Sequence, residues 1–539
     1  MSYSFPGLPG GIAPRPATLR ASTRTTVICT AIVLAALGFV LFTLLRAPMK
    51  DDVAWLLWVA RQWLKGQRLY IDIVEVNPPL IVWISAIPVL IGNAIGVSAK
   101  TVAVFLFAGS ALWSSWLSAR LLHGVAPAFQ RVPVTFAVIA CVMLLMPGVE
   151  FGQREHLLTI AVLPHLAILL RGLEGHGTGR GMKVGASIAA GLGVALKPRY
   201  LLCLAVVELL GWVRRGFRLR LSPFVAFGVA GLYALSILFF YPSFIDRAVP
   251  LAVTLYGGTD TGLADLMLES WRLLAGISVA ALLTLLLPKD APARTVMAVL
   301  TGFAVAATLA MFLDGKNWFY HRIPATTAVV LALLYWCAEA AMARRAANAH
   351  PSTAGDGRLR YAALMLVALV PLFIQVDKLG ERLRDRLILA VEPELSTEVK
   401  LERLIRREKV RTYVAFSEWI GLGFPVVEDT GVTWASRFDS MWALRGELWR
   451  ARMDGKPPAE WPMRLWVAQD FIRGCPDLVV VDRRRGAEDI NYPTVLAQAD
   501  AEFAEVWSRY RQIAVLDGLQ VFRRDGEGCT TSPPVENNE

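Results

Sequence analysis

From Thr25 to about Val376 the chain repeats apolar runs of roughly 14–22 residues, near the length an α-helix needs to cross about 30 Å of hydrocarbon. Lipid offers backbone N–H and C=O groups no partner, so a spanning run has to satisfy them internally as a helix. Runs near 25–46, 101–120, 132–147, 157–171, 184–197, 200–213, 222–240, 271–287, 295–313, 323–342 and 361–376 predict a polytopic α-helical membrane protein of about eleven spans. A further run, PLIVWISAIPVLIGNAIG, is broken by Pro88, Gly92, Asn93 and Gly96, which weakens it as a span. Hydrophobic residues make up 55% of the sequence and charged ones only 18%, too apolar for an ordinary soluble protein. The first run follows a Pro-, Arg- and Ser-rich stretch and lacks an A-x-A-like cleavage site. It reads as a retained helix behind a cytoplasmic tail over 1–24.

Basic residues decide sidedness, because Lys and Arg accumulate in short cytoplasmic loops. If the broken run does not cross, Arg15, Arg20, Arg24, Arg120, Arg131, the stretch from Arg171 to Lys183, RRGFRLR and ARRAANAHPSTAGDGRLR all fall on one side. If it crossed, RRGFRLR would be translocated. The run is therefore expected to be re-entrant or interfacial, within a first outer loop over 47–100. The net charge of +11 is accounted for by these loops, so no nucleic-acid partner is expected.

The outer face then collects short polar clusters at span ends, which makes it the expected site. Asp51 and Asp52 open VAWLLWVARQWLKG, read as an interfacial helix with Trp55, Trp58 and Trp63 on its apolar body. Carboxylates favour a helix N-terminus, but one suffices there. The second leaves room for a base that takes a proton from an attacking hydroxyl, with Asp51, leading the helix, the better placed to face a cleft. In EVNPP, the two prolines hold Asn77 in an extended turn, and Glu75 is placed to orient a sugar hydroxyl or to serve a plain surface turn. EFGQREHLL sets Arg154, Glu155 and His156 at the mouth of a span, where charges cost about 2.5 kcal/mol or more unless they face a polar cavity or pair. Lys197 and Arg199 in LKPR, and Lys316, His321 and Arg322 in DGKNWFYHR, stand outside against the charge bias and call for an anion such as a lipid phosphate. The DGKNWFYHR cluster would also suit an aromatic and basic membrane belt.

These residues, KDDVAWLLWVARQWLKGQRLYID with NPPLIVW, GQREHL, LKPR and GKNWFYHRIPA, together resemble the GT-C superfamily, membrane glycosyltransferases that take sugar from a polyprenyl-phosphate donor; protein O-mannosyltransferases and lipid A aminoarabinose transferases are members. The resemblance implies a GT-C-like span domain over 25–376. Asp51 would be the base that activates the acceptor hydroxyl, with Asp52 in support and Glu155 at the second acidic site. Lys197 and Arg199 would grip the donor phosphate, helped by Lys316, His321 and Arg322. Glu75, Asn77, Arg154 and His156 would contact substrate. Some relatives carry lysine where this chain has Asn77, and their second acidic residue is usually Asp. In some of them that residue helps hold a metal, so a divalent ion is the one cofactor the resemblance admits.

The implied partners are a polyprenyl-phosphate-linked sugar, a glycan, lipid or protein acceptor, and membrane lipids; the implied place is the cytoplasmic membrane, with the site outside. A lipid phosphate already leaves well, so such an enzyme needs a base, cations and a positioning cleft rather than a nucleotide, and the chain carries no P-loop. The competing class is a transporter or flippase, which would keep ionisable groups near mid-membrane; Glu208 and Glu339 instead lie toward the cytoplasmic span ends. Over 377–539 alternating helix-like and strand-like runs predict an extracytoplasmic α/β domain covering the membrane site. Cys29, Cys141, Cys203 and Cys337 fall in apolar spans as packing residues. Cys475 and Cys529 lie in the tail, where an oxidising compartment would permit a disulfide, though spacing alone does not establish one.

Overall fold

The structure is a computed structural model describing residues 22–216, 219–256, 261–316, 318–349, 355–484 and 489–526. Each expected apolar run is helical: α1 (Thr23–Arg46), α4 (Ala99–Leu122), α5 (Val132–Leu145), α6 (Arg154–Leu173), α7 (Arg180–Ala195), α8 (Leu201–Arg215), α9 (Leu221–Phe240), α12 (Trp271–Leu286), α13 (Pro292–Phe312), α14 (Ile323–Ala349) and α15 (Gly355–Val391). Between them lie α2 (Asp51–Leu64), α3 (Pro79–Ile95), α10 (Val249–Leu255) and α11 (Leu263–Glu269). Among the described residues seven helices are long and apolar enough to cross a membrane, or eight if α11 and α12, bent by 70°, form one broken span.

Starts and stops follow local chemistry. Ser22 and Ser98 accept from the Thr25 and Thr101 amides at the mouths of α1 and α4, satisfying donors the helix leaves orphaned. The broken run is α3, begun by Pro79 in its first turn and ended by Gly96 in the left-handed region at φ 70°. α6 is the hub, packed against α4, α7, α8, α13 and α14, and it is buried along nearly its whole length. The last span differs from the expected end at Val376: α15 continues as one helix through Asp377 to Val391, because Lys378, Arg382 and Arg386 are good helix formers.

A mixed sheet domain follows, with α16 (Thr397–Arg407), β1 (Thr412–Phe416), α17 (Val426–Thr430), β2 (Thr433–Trp434), α18 (Trp442–Asp454), α19 (Met463–Gly474), β3 (Leu478–Asp482), α20 (Tyr492–Ala499), α21 (Ala501–Trp507), β4 (Tyr510–Leu516) and β5 (Leu519–Arg524). The strand order is β2-β1-β3-β5-β4. β1 runs parallel to β2 and to β3, pairing Phe416 with Val481, while β5 is antiparallel to both β3 and β4. Asp517 and Gly518 join the β4–β5 hairpin with φ 49° and 83°, the positive values that a tight two-residue hairpin turn requires and that an Asp-Gly pair supplies. Every residue of central β3 is buried. Cys475 is disulfide-bonded, Cys29, Cys141, Cys203 and Cys337 are free thiols, and Cys529 lies outside the described residues.

The sheet domain sits directly on the helical bundle. α2, expected at the lipid interface, is buried along Val53–Ala60 instead, with Trp55 and Trp58 packed on Phe424 at 4.9 and 5.5 Å between ring centroids. Arg61 pairs with Glu428, and the Val74 amide donates to the Arg437 carbonyl at 2.8 Å. On the other flank α18 packs on α10, where a β-carbon added to Gly446 would stand 2.5 Å from the Leu255 carbonyl oxygen. Gly446→Ala is therefore expected to lift α18 and lower stability by about 1–3 kcal/mol, as overpacking does; an unchanged thermal unfolding midpoint would contradict the close approach.

Candidate active site

One cavity of about 700 Å³ opens where the bundle meets the sheet domain. The chain leaves α1 through Ala47–Lys50 and turns into α2, so the two adjacent carboxylates come out at a helix N-terminus facing this cavity. Asp51 accepts the Asp52 amide at 2.8 Å and the Lys50 ammonium at 2.9 Å. Lys50 also lies 3.6 Å from Glu150. Burial works against the Lys50 charge, yet Asp51, Glu150 and Asp52 outweigh it and raise its pKa. Burial, opposed by Lys50, pushes Glu150 up to about 7. Asp52 receives the Gln153 side-chain amide at 2.7 Å. Burial first, then the neighbouring Asp51 charge, raises its pKa against the pull of Lys50 and Arg154.

Behind this pair, both oxygens of Glu75 are engaged: one accepts from Trp55 Nε1 at 2.5 Å, the other from the Asn77 amide and side chain at 2.7 and 2.6 Å. Glu75 thus positions Asn77 on the cavity wall. Burial raises the Glu75 pKa.

The opposite wall is cationic. Lys197, in the turn between α7 and α8 and outside the spans, reaches Glu155 at 2.6 Å, His321 Nε2 at 2.7 Å and Asp314 at 2.8 Å. The first two are hydrogen bonds and the third an ion pair. Burial lowers the Lys197 pKa to about 8, with Glu155 opposing and Arg154 assisting. Arg199 also pairs with Asp314. Asp314 thus pairs with both of these cations. Lys316 donates to the Tyr256 carbonyl at 2.6 Å. Arg154 lines the cavity while buried, and its Nε has no hydrogen-bond partner among the described residues. A buried guanidinium with an unfilled donor is costly unless an anion completes it.

The fold therefore brings Asp51, Asp52, Glu75, Asn77, Arg154, Lys197, Arg199, Lys316 and His321 to one cavity, with Glu155 just behind, holding Lys197. Two expected site residues do not join them. His156 is a fastener inside the fold: its Nε2 lies 3.0 Å from the Met143 carbonyl and its Nδ1 accepts the Gly152 amide at 3.2 Å. Arg322 points the other way, donating to the Glu269 carbonyl at 3.2 Å and lining a different cavity, because the Phe319–Arg322 turn places His321 and Arg322 on opposite sides. The second acidic position does not suit a metal: the Lys197 ammonium stands at 2.6 Å from Glu155, and no group of three or more His, Cys, Asp or Glu side chains among the described residues is arranged to hold an ion.

The sheet domain supplies a roof that no span motif announced. Glu418 and Trp419 follow β1, and Asp439 and Trp442 precede or open α18, all lining the cavity. Trp442 stacks on Tyr256 at 4.2 Å with 5° between planes and donates from Nε1 to Asp439 at 2.9 Å. Burial first, then the Glu75 and Asp52 charges, raises the Asp439 pKa from its ordinary value. Asp314, to which the sequence assigns no site role although it belongs to the DGKNWFYHR cluster, also lines the cavity, as do Lys50 and Tyr256.

No family model matches the chain, and no curated protein matches it. Among solved structures it is similar to the archaeal oligosaccharyltransferase AglB from Archaeoglobus fulgidus, a structure in complex with an inhibitory peptide and a dolichol-phosphate. Identity is 15% and the TM-score 0.44, over 94% of this chain and 75% of that one.

Proposed function

We propose that this protein is a membrane glycosyltransferase, moving a sugar from a polyprenyl-phosphate donor to an acceptor hydroxyl at the extracytoplasmic face of the cytoplasmic membrane. The supporting observation is one cavity that joins a carboxylate pair at a helix N-terminus to a wall of cations, at the junction of spans and sheet domain. Asp52 takes the base role. Its raised pKa suits proton abstraction, and the Gln153 amide holds one of its oxygens. Asp51, tied to Lys50 and to the start of α2, supports it. The acceptor oxygen attacks the anomeric carbon and passes its proton to Asp52 as the anomeric C–O bond breaks with inversion. The departing phosphate keeps the bonding electron pair. Lys197, Arg199 and Arg154 meet that charge, with the phosphate replacing Asp314 between the first two. Trp419, Trp442 and Tyr256 offer faces for the ring, with Asp439 beside them on the cavity wall.

Envelope glycolipids and glycans weighed by mass spectrometry from cells with and without the gene should differ by one sugar mass. Identical profiles, with no release of polyprenyl phosphate by the purified protein, would overturn this function. A second expectation concerns pH. Lys197 carries its proton below about pH 8 and loses it above, so the cation that attracts the phosphate fades as pH rises. Donor KM is expected to climb above pH 8, approaching tenfold per unit until bound phosphate stabilises the proton. A flat donor KM from pH 7 to 10 would remove Lys197 from the phosphate site.

A further inference from the structure

Arg322 leads to a second cavity, of about 60 Å³, between α12, α14 and α15 at the same end of the bundle. Four cations line it, Arg272, Arg322, Lys378 and Arg382, against one carboxylate, Glu269. They come from three separate elements, so no single helix face accounts for them. Arg382 stands over the Phe319 ring, its guanidinium carbon 3.0 Å from the ring centroid, and lines the cavity. Lys378 is paired with Glu381, outside the lining. Ser270, at the 70° bend where α12 begins, also lines the cavity; it is 1% exposed and its hydroxyl has no hydrogen-bond partner among the described residues.

A buried hydroxyl left without a partner and a clear excess of positive charge, at the first turn of a 16-residue helix, all favour the same occupant, a compact anion rich in acceptor oxygens. The volume suits one tetrahedral group. Trp271, Leu268 and Met267 stand exposed beside it on the bundle surface, as residues facing acyl chains would. We propose that this cavity binds the phosphate of a lipid, at a site separate from the transfer cavity. The two sites share only the Phe319–Arg322 turn, which presents Phe319 and Arg322 here and His321 there.

The test uses the full chain in maltoside micelles, titrated with phosphatidylglycerol, with a polyprenyl monophosphate and with diacylglycerol, and read by native mass spectrometry. Wild type is expected to retain a phosphate-bearing lipid but not diacylglycerol. Lys378→Gln with Arg382→Gln should lose one bound equivalent and bind about tenfold or more weakly. Ser270→Ala, which removes one hydroxyl and leaves the fold intact, should weaken binding about fivefold and decides the matter if the double variant does not fold. Asp52→Asn should bind as wild type does, so failure of the transfer chemistry and failure of this site are separately visible. Loss of phosphatidylglycerol in Ser270→Ala would identify a membrane phospholipid as the source, and loss there of one equivalent of polyprenyl monophosphate alone, beyond that held by the transfer cavity, would identify the donor's carrier. Equal binding by wild type and Ser270→Ala, or equal retention of diacylglycerol, would overturn the proposal.

Discussion

Under the proposed transferase function, Asp52→Asn is expected to insert and fold as wild type does yet to transfer sugar about 10²–10⁴-fold more slowly, the span general-base removal produces. The substitution is nearly isosteric. An asparagine carbonyl oxygen still accepts the Gln153 amide that now sits 2.7 Å from Asp52, so the wall keeps its shape and loses only a proton acceptor. Asp51→Asn is the internal control. Asparagine serves well in the first turn of a helix, so α2 still forms, and the effect on rate is expected to be smaller. Turnover of purified protein with a synthetic donor, alongside thermal unfolding of both variants, checks this. If Asp51→Asn loses more activity than Asp52→Asn, the base and its supporter exchange roles; if neither loses activity, the pair is a helix cap and the transferase proposal fails with it.

Lys197→Met is expected to act twice. Glu155 is fully buried, and its closest cation is the Lys197 ammonium at 2.6 Å. Removing one partner of a buried pair costs about 3–5 kcal/mol, because the remaining charge is stranded. His321 at 3.6 Å is too distant to replace the contact fully. The same change removes a cation from the wall proposed to meet the donor phosphate, so donor KM should rise as well. Adding Glu155→Gln separates the two effects: the double variant should recover much of the lost thermal stability while its donor KM stays high. Recovery of both would reduce Lys197 to a structural counter-ion for Glu155.

Part of this site is legible in the amino-acid order alone. A carboxylate pair just past a span, LKPR at the junction of two others and GKNWFYHR at the start of a late one are local patterns, and local spacing places them at helix ends. His156 and Arg322 show where such reasoning stops. Each neighbours a true cavity residue, Glu155 backing the wall and His321 lining it, but a helical or 3-10 turn rotates adjacent side chains apart, so membership of a motif does not fix which cavity a residue faces. Asp314 is visible in its motif yet gives no sign that it neutralises Lys197 and Arg199. That pairing depends on two turns meeting across the bundle.

What the sequence determined alone is the membrane character, the helical runs, the sheet-forming tail and the presence of acidic and basic clusters at span ends, since hydrocarbon thickness and backbone hydrogen bonding act on each segment separately. What only tertiary structure decided is which clusters share a cavity, that Glu418, Trp419, Asp439 and Trp442 roof it, that α2 lies beneath the sheet domain rather than at the lipid surface, and that Arg322 belongs to a second cavity. Those outcomes depend on contacts between residues far apart in the chain. Their free energy comes from packing and charge pairing that exist once the segments meet, and no local pattern carries them.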